Sequence, residues 1–433
     1  MAKNVYINTL GCAKNEVDSA KMAKKLSSAG YKIADDFKAA DLIIVNTCSF
    51  IEAATSESID AIFELIGASK KEGAHIVVAG CMPQRYENDL KKAMPEVSAF
   101  VKCSEEDNIV KIVSNLIGKP NEHPSVSGDN DKSTCPNKGI VSSYVKISEG
   151  CNRVCSFCTI PKIRGAYRSF SKEQIFKDVE EAVEAGAKEI NLVAQDTGHW
   201  GKDLSSKSSL SSLLEFLAAS FEQTWFRVLY IQPDEVTDEL INTISKHQNI
   251  LNYLDIPFQH SSESVLRAMN RSGDGKTFLQ MIDKIRHALP DCVLRTTLMV
   301  GFPGESDDDF EEMIDFVNVA NLDYVGVFQY SDEDIAPSYE FCDKVDEEEK
   351  KFRFREIVEV ANNTCSAKLV SKIGERHDVL VEGIEEDGQV FGRAWFQAPE
   401  VDGVVYLDKG EPGQVLGVEF DDTLMFDLEG RVV

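Results

Sequence analysis

The sequence contains no apolar run approaching the ~18 residues that a membrane-spanning helix needs, which excludes a bilayer-crossing bundle. It is short of positive charge: 46 Lys and Arg stand against 73 Asp and Glu, for a net charge of −27. Broad binding of nucleic acid needs lysine and arginine to displace counterions, so that class of function is excluded as well. Such an acidic chain favours a basic partner, although whole-chain acidity also serves solubility alone. Histidine is scarce, with 7 in 433 residues. His260, beside Gln259, reads equally as a polar pocket residue or a structural one, and the other six show no ligand spacing. Residues Met1 to Leu10 read as a strand and lack the layout of a signal peptide, so the chain is expected in the cytoplasm.

What the chain does have is cysteine: 11 in all, an odd number in a long chain with no targeting segment. Reduced thiols that serve metal fit this better than disulfides. Cys151, Cys155 and Cys158 stand at C-x3-C-x2-C between Gly150 and Pro161. Positions i, i+4 and i+7 could form one stripe of a helix, with cysteine as a small hydrophobe. They could also form a loop whose thiolates wrap an iron–sulfur cluster, and the flanking glycine and proline favour the loop. A cube of four irons with three cysteines keeps one corner open, which is how a metal site marks itself as catalytic.

Residues 1–118 alternate strand and helix, which predicts a doubly wound parallel sheet. The strands are expected at Val5–Asn8, Leu42–Asn46, Ile76–Ala79 and Ala99–Val101, with helices at Glu16–Ser28, Ile51–Ala68, Gln84–Ala93 and Glu105–Ile117. Cys12, Cys48 and Cys81, spaced 36 and 33 residues apart, each lie just past a strand and before a helix. Carboxyl ends of strands line the ligand crevice of such sheets, so the three thiols are expected to converge on one edge. Three unrelated buried thiols are the alternative. Cys103 and Cys365 read as structural, and Cys135 as an exposed thiol in a linker at 119–136, rich in Pro, Gly, Ser and Asn.

From 137 to 366 six further strand–helix units predict a partial (β/α)6 barrel, with the C-x3-C-x2-C loop after its first strand, where barrels place catalytic groups. Gln195 follows the second strand, and Arg295 lies with Thr297 on one face of the fifth, where it could meet a carboxylate bidentately. Gly301–Glu305 is a glycine-rich turn that a tight strand–helix connection explains equally well. Residues 369–433 change to five short runs, ending in Leu424–Leu428, with turns such as Asp387-Gly388 and Asp402-Gly403; these predict a small all-β barrel. That segment holds five Lys and Arg against fifteen Asp and Glu, a net charge of −10.

The string from Tyr144 to Pro161, with Phe157 before the last cysteine and Arg164-Gly165 beyond, resembles the methylthiotransferase branch of the radical S-adenosylmethionine (SAM) superfamily. Thr9–Asn15, Val45–Cys48 and Ala79–Cys81 resemble that branch's N-terminal module, and 369–433 resembles its TRAM domain. The resemblance implies two 4Fe–4S clusters: a SAM-binding one on Cys151, Cys155 and Cys158, and an auxiliary one on Cys12, Cys48 and Cys81. It further implies SAM contacts at Phe157 and Gln195, and cleavage of SAM to a radical that abstracts hydrogen from unactivated carbon. The acidic last segment resembles the members that put a methylthio group on the β-carbon of an aspartate in small ribosomal subunit protein twelve, a basic partner; nucleic acid is not expected as direct substrate. A tRNA adenosine methylthiotransferase and a non-enzymatic iron–sulfur carrier are the alternatives. An electron donor is implied as a further partner.

Overall fold

The structure, a computed structural model, describes residues 3–69, 73–120, 140–206 and 208–433. The expected linker lies outside the described residues except for Lys119 and Pro120, and Cys135 lies outside them.

The first sheet has five parallel strands in the order Lys32–Ile33, Asn4–Thr9, Leu42–Thr47, His75–Gly80, Ala99–Lys102. Lys32–Ile33, a two-residue edge strand, is too short to leave a pattern in the sequence. The run Leu42–Thr47 is buried at every position because both faces of the sheet are covered. On one face Ile43, Val45, Ile76 and Val78 pack with Ile62 and Leu65 of helix Glu52–Ser69. On the other, Leu42, Ile44 and Val77 pack with Met22, Leu26, Ile109 and Val113.

The second sheet runs in chain order through Ser142–Lys146, Glu189–Val193, Trp225–Val228, Ile250–Asp255, Val293–Val300 and Tyr324–Gln329, all parallel and open between the first and last. Ile190, Leu192, Phe226, Val228, Leu254 and Leu298 point to the outer face and pack against the connecting helices. The inner-facing Leu229, Leu251, Tyr253 and Val293 pack instead against the third sheet.

That third sheet is a closed barrel of five strands, Arg376–Ile384, Val390–Ala394, Val405–Leu407, Val415–Leu424 and Asp427–Val432, around Val379, Val405, Val418, Phe420 and Leu428. The expected strand Leu424–Leu428 is instead a hairpin corner, with Met425 at φ 60. No Gly, Asn or Pro marks that turn, so the alternation read straight through it. Helix Glu347–Ser371 leads from the second sheet into this barrel. Among the described residues no helix is long and apolar enough to cross a membrane.

Candidate functional site

Residues 151–159 form no helix; a helical turn begins only at Ile160–Ile163, so the three thiols of C-x3-C-x2-C sit on a loop. Its neck is closed by the pairing of Ser148 and Glu149 with Ser169 and Arg168. Gly150 has φ 76, and a Cβ there would lie 2.3 Å from the Ala166 carbonyl oxygen, so only glycine fits. Main-chain bonds hold the rest. Cys151 N–H donates to Gly165 O at 3.2 Å, Cys158 N–H to Cys155 O at 3.2 Å, and Ser156 N–H to Met269 O at 3.1 Å. Arg153, between the first two cysteines, donates to Asp196 at 2.6 Å and reaches Asp234 and Glu235, which fastens the loop to two neighbouring strand ends.

Across from this loop, the strand ends of the first sheet are in register, with Thr9 opposite Asn46 and Asn46 opposite Ala79. Cys12 precedes helix Ala13–Ser28, Cys48 follows its strand directly, and Cys81 opens helix Cys81–Ala93. Gly11 has φ 95, and a Cβ on it would come 2.6 Å from Cys48 Cβ, so the backbone before Cys12 lies against Cys48. Two buried amides tie the strand ends together. Asn15 Nδ2 donates to Leu10 O at 2.7 Å and Thr47 O at 3.1 Å, while Asn46 Nδ2 donates to Asn15 O and Ser19 Oγ at 2.9 Å each.

The two cysteine-bearing edges meet. Thr159 Oγ1, one residue after Cys158, donates to Phe50 O, two residues after Cys48, at 3.3 Å. Glu52 N–H donates to Glu333 at 2.7 Å, and Arg85 pairs with Glu333 at 2.6 Å. Arg164 crosses from the barrel loop to donate to Asp18 at 2.6 Å and Asn15 Oδ1 at 2.5 Å, and its charge favours the thiolate form of nearby Cys81. Lys146 completes the bridge, 2.5 Å from both Asp18 and Glu149. Burial alone would raise the Asp18 carboxyl, but Lys146 and Arg164 outweigh it and hold it below the usual range.

The donor sets fit iron–sulfur clusters better than single ions. Among the described residues the one group of ligand atoms within 4.8 Å of each other is Asp196, His199 and Glu235, and neither thiol trio is that tight. Asp196 and Glu235 are already neutralised by Arg153 and Lys202. A cluster spreads its cysteines over several irons and welcomes N–H donors to sulfur. One such donor is present, Arg153 N–H to Cys151 Sγ at 3.4 Å, and the backbone N–H groups of Phe50 and Ile160 favour the thiolates of Cys48 and Cys158. A cavity of about 380 Å³ opens against Cys151, Cys155 and Cys158, with Arg153 and Pro337 at its rim. Burial pushes the Cys158 and Cys48 thiols up to about 12.

The remaining expected site residues divide. Phe157 is half-buried against the barrel core. Gln195 Nε2 donates to Glu149 at 3.1 Å, and its Oε1 is buried with no partner among the described residues. Arg295 does not face the mouth with a free guanidinium. It is bound to Asp255 at 3.0 Å and lies 3.5 Å from Asp402, so it fastens the loop of the third barrel instead of receiving a ligand's carboxylate. His260 is fully buried with Nδ1 accepting from Ser262 N–H at 2.9 Å, which is the structural reading. Glu305 caps Gly301 and Phe302 N–H at 2.8 and 3.2 Å, so that turn is a strand–helix connection. Cys103, read as merely structural, lies near enough to Cys81 that this neighbour and burial push its thiol well up. Asn15 and Lys146 stood in the quoted strings without a role and Asp18 drew no attention, because their partners lie up to 149 residues away.

Comparison with known proteins places this geometry. Residues 4–102 match a family model described as "Uncharacterized protein family UPF0004", 145–317 the radical SAM superfamily, and 373–433 the TRAM domain. Ribosomal protein uS12 methylthiotransferase RimO of Natranaerobius thermophilus is 40% identical over 99% of this chain and 98% of its own length. The RimO of Thermotoga maritima is 39% identical over 99% of this chain and 100% of its own. Among solved structures, the radical SAM methyltransferase TsrM of Kitasatospora setae superposes with TM-score 0.57 at 13% identity, covering 78% of this chain and 77% of that one, a likeness of fold alone. The cobalamin-dependent radical SAM enzyme OxsB gives 0.52 at 13% identity, covering 83% of this chain and 56% of that one. The full-length identity establishes that the chain belongs to the RimO family of radical SAM methylthiotransferases.

Proposed function

We propose that this chain places a methylthio group on the β-carbon of an aspartate in ribosomal protein uS12, using one iron–sulfur cluster on Cys151, Cys155 and Cys158 and a second on Cys12, Cys48 and Cys81. The observation that carries this reading is the meeting of two thiol-bearing edges across one interface, through Thr159 with Phe50 and Arg164 with Asp18 and Asn15. When bound, the barrel cluster supplies the electron that cleaves SAM and starts hydrogen abstraction, and the other holds the sulfur to be transferred.

The chain's own residues prepare this. The Gly150–Thr159 loop presents its thiols around the 380 Å³ cavity and keeps them there through main-chain bonds to Gly165 and Met269. The unpartnered Oε1 of Gln195 offers an acceptor for the amino group of SAM, while Glu149 fixes the amide's orientation. Phe157 backs the loop from the core side. Ligation requires deprotonated thiols, and Cys48 and Cys158 sit at about 12, so cluster loading is linked to proton release. The third barrel, at −10, repels phosphate and attracts a basic protein such as one from the ribosome.

Mass spectrometry of uS12 and of tRNA from a strain lacking this gene tests the substrate. The aspartate of uS12 should lose its methylthio group while tRNA adenosines stay unchanged. Loss from tRNA with uS12 intact would contradict the proposal.

A further inference from the structure

Arg164 belongs to the barrel's cysteine loop and places its charge beside a cysteine of the other trio. Its neighbour Gly165 accepts the hydrogen bond of Cys151 N–H at 3.2 Å, so its backbone is tied to the first barrel cysteine. Its side chain is 3% exposed, donates to Asp18 and Asn15 of the first sheet's module, and carries its charge next to Cys81 of the same module. Arginine stays charged at any working pH, so this is a fixed positive charge beside a proposed cluster ligand. Lys146 is shared between Asp18 and Glu149, Arg164 lies 3.7 Å from Glu149 as well, and burial pushes the neighbouring Glu106 carboxyl up to about 8, so two cations balance two ionised carboxylates only while Arg164 is present.

We infer that Arg164 is a positioning residue that sets the reduction potential of the Cys12/Cys48/Cys81 cluster and ties that potential to the seating of the barrel's cysteine loop. Reduction adds an electron to an already anionic cluster, and a nearby cation favours the reduced form. Removing the cation leaves Asp18 and Glu149 facing the cluster with Lys146 alone, which favours the oxidised form. The inference rests on the proposed auxiliary cluster.

The test uses the full chain with Cys151, Cys155 and Cys158 all changed to Ala, reconstituted anaerobically and titrated by EPR-monitored reduction. In this background Arg164→Gln should retain iron but lower the midpoint, with the reduced-to-oxidised ratio at a fixed potential falling about tenfold, equivalent to about 59 mV for one electron. Arg164→Lys, which restores the charge, should recover most of the shift. Asp18→Asn should move the midpoint the opposite way, and it decides the matter if Arg164→Gln fails to load iron. A purely structural arginine would change iron content and leave the midpoint of the loaded cluster in place. An unchanged midpoint in Arg164→Gln, or in Asp18→Asn if only that variant loads, would overturn the inference. No cluster at all in the triple-Ala parent would instead overturn the two-cluster reading, and this inference with it.

Discussion

The two cysteine trios gather ligands in opposite ways. Cys151, Cys155 and Cys158 lie within one loop whose shape is fixed by Gly150 and a few main-chain bonds. Cys12, Cys48 and Cys81 are brought together only because three parallel strands end in register and Asn15 and Asn46 lock their ends. Closing a short loop orders few residues, whereas the dispersed trio requires the whole first sheet to fold. The local trio should therefore tolerate distant damage, and the dispersed trio should be as stable as the sheet beneath it.

Breaking one ligand in each trio separates their duties most sharply. Cys155→Ala should abolish both SAM cleavage and thiolated product, while Cys81→Ala should abolish product and leave cleavage running. Chromatography of 5′-deoxyadenosine alongside mass spectrometry of uS12 reads both, and normal product from Cys81→Ala would refute its role.

Next in size are the glycines. Gly11→Ala forces a Cβ 2.6 Å from Cys48 Cβ and should strip iron from the dispersed trio only; Gly150→Ala forces one 2.3 Å from a carbonyl oxygen and should strip the barrel trio only. Iron assays on each glycine variant, built in chains lacking the opposite trio, should show this division.

The seat of the third barrel is a further point of contrast. Glu189 is fully buried between Arg227 and Arg393, which together outweigh burial and hold its carboxyl down at about 2. Glu189→Ala strands two buried cations and should cost about 3–5 kcal/mol in denaturant unfolding.

The smallest effect is one of pH, and it falls on the dispersed trio's side. Glu16, one turn beyond Cys12, is pushed up to about 7 by burial first and then by Glu400 of the third barrel's loop. Its ordinary value is 4.5, so the native state holds this proton more tightly than the unfolded chain. The resulting stability is complete below about 4.5 and gone above about 7, and thermal midpoints should fall across that window. Asp402, raised to about 6 by burial against the pull of Arg295, adds to the same trend. Glu16→Gln should remove its share of the slope.

Sequence reading reached what is local or periodic. The loop of Cys151–Cys158 declared itself by spacing and flanking residues, and the strand-end positions of Cys12, Cys48 and Cys81 followed from β-α alternation. What it missed depends on chain segments far apart. Arg295 was read by its strand face alone, but Asp402, arriving from another module, occupies its guanidinium. Arg164 stood in the motif without a role because Asp18 and Cys81 come to it only in the folded chain. The turn at Met425 carries no turn residue, so pattern alone could not find it.

Iron per chain after anaerobic reconstitution tests the two-trio account most directly. The intact chain should bind about eight irons, and replacing either trio with Ala should leave about four. About four irons in the intact chain, or no loss when Cys12, Cys48 and Cys81 are all replaced, would contradict it.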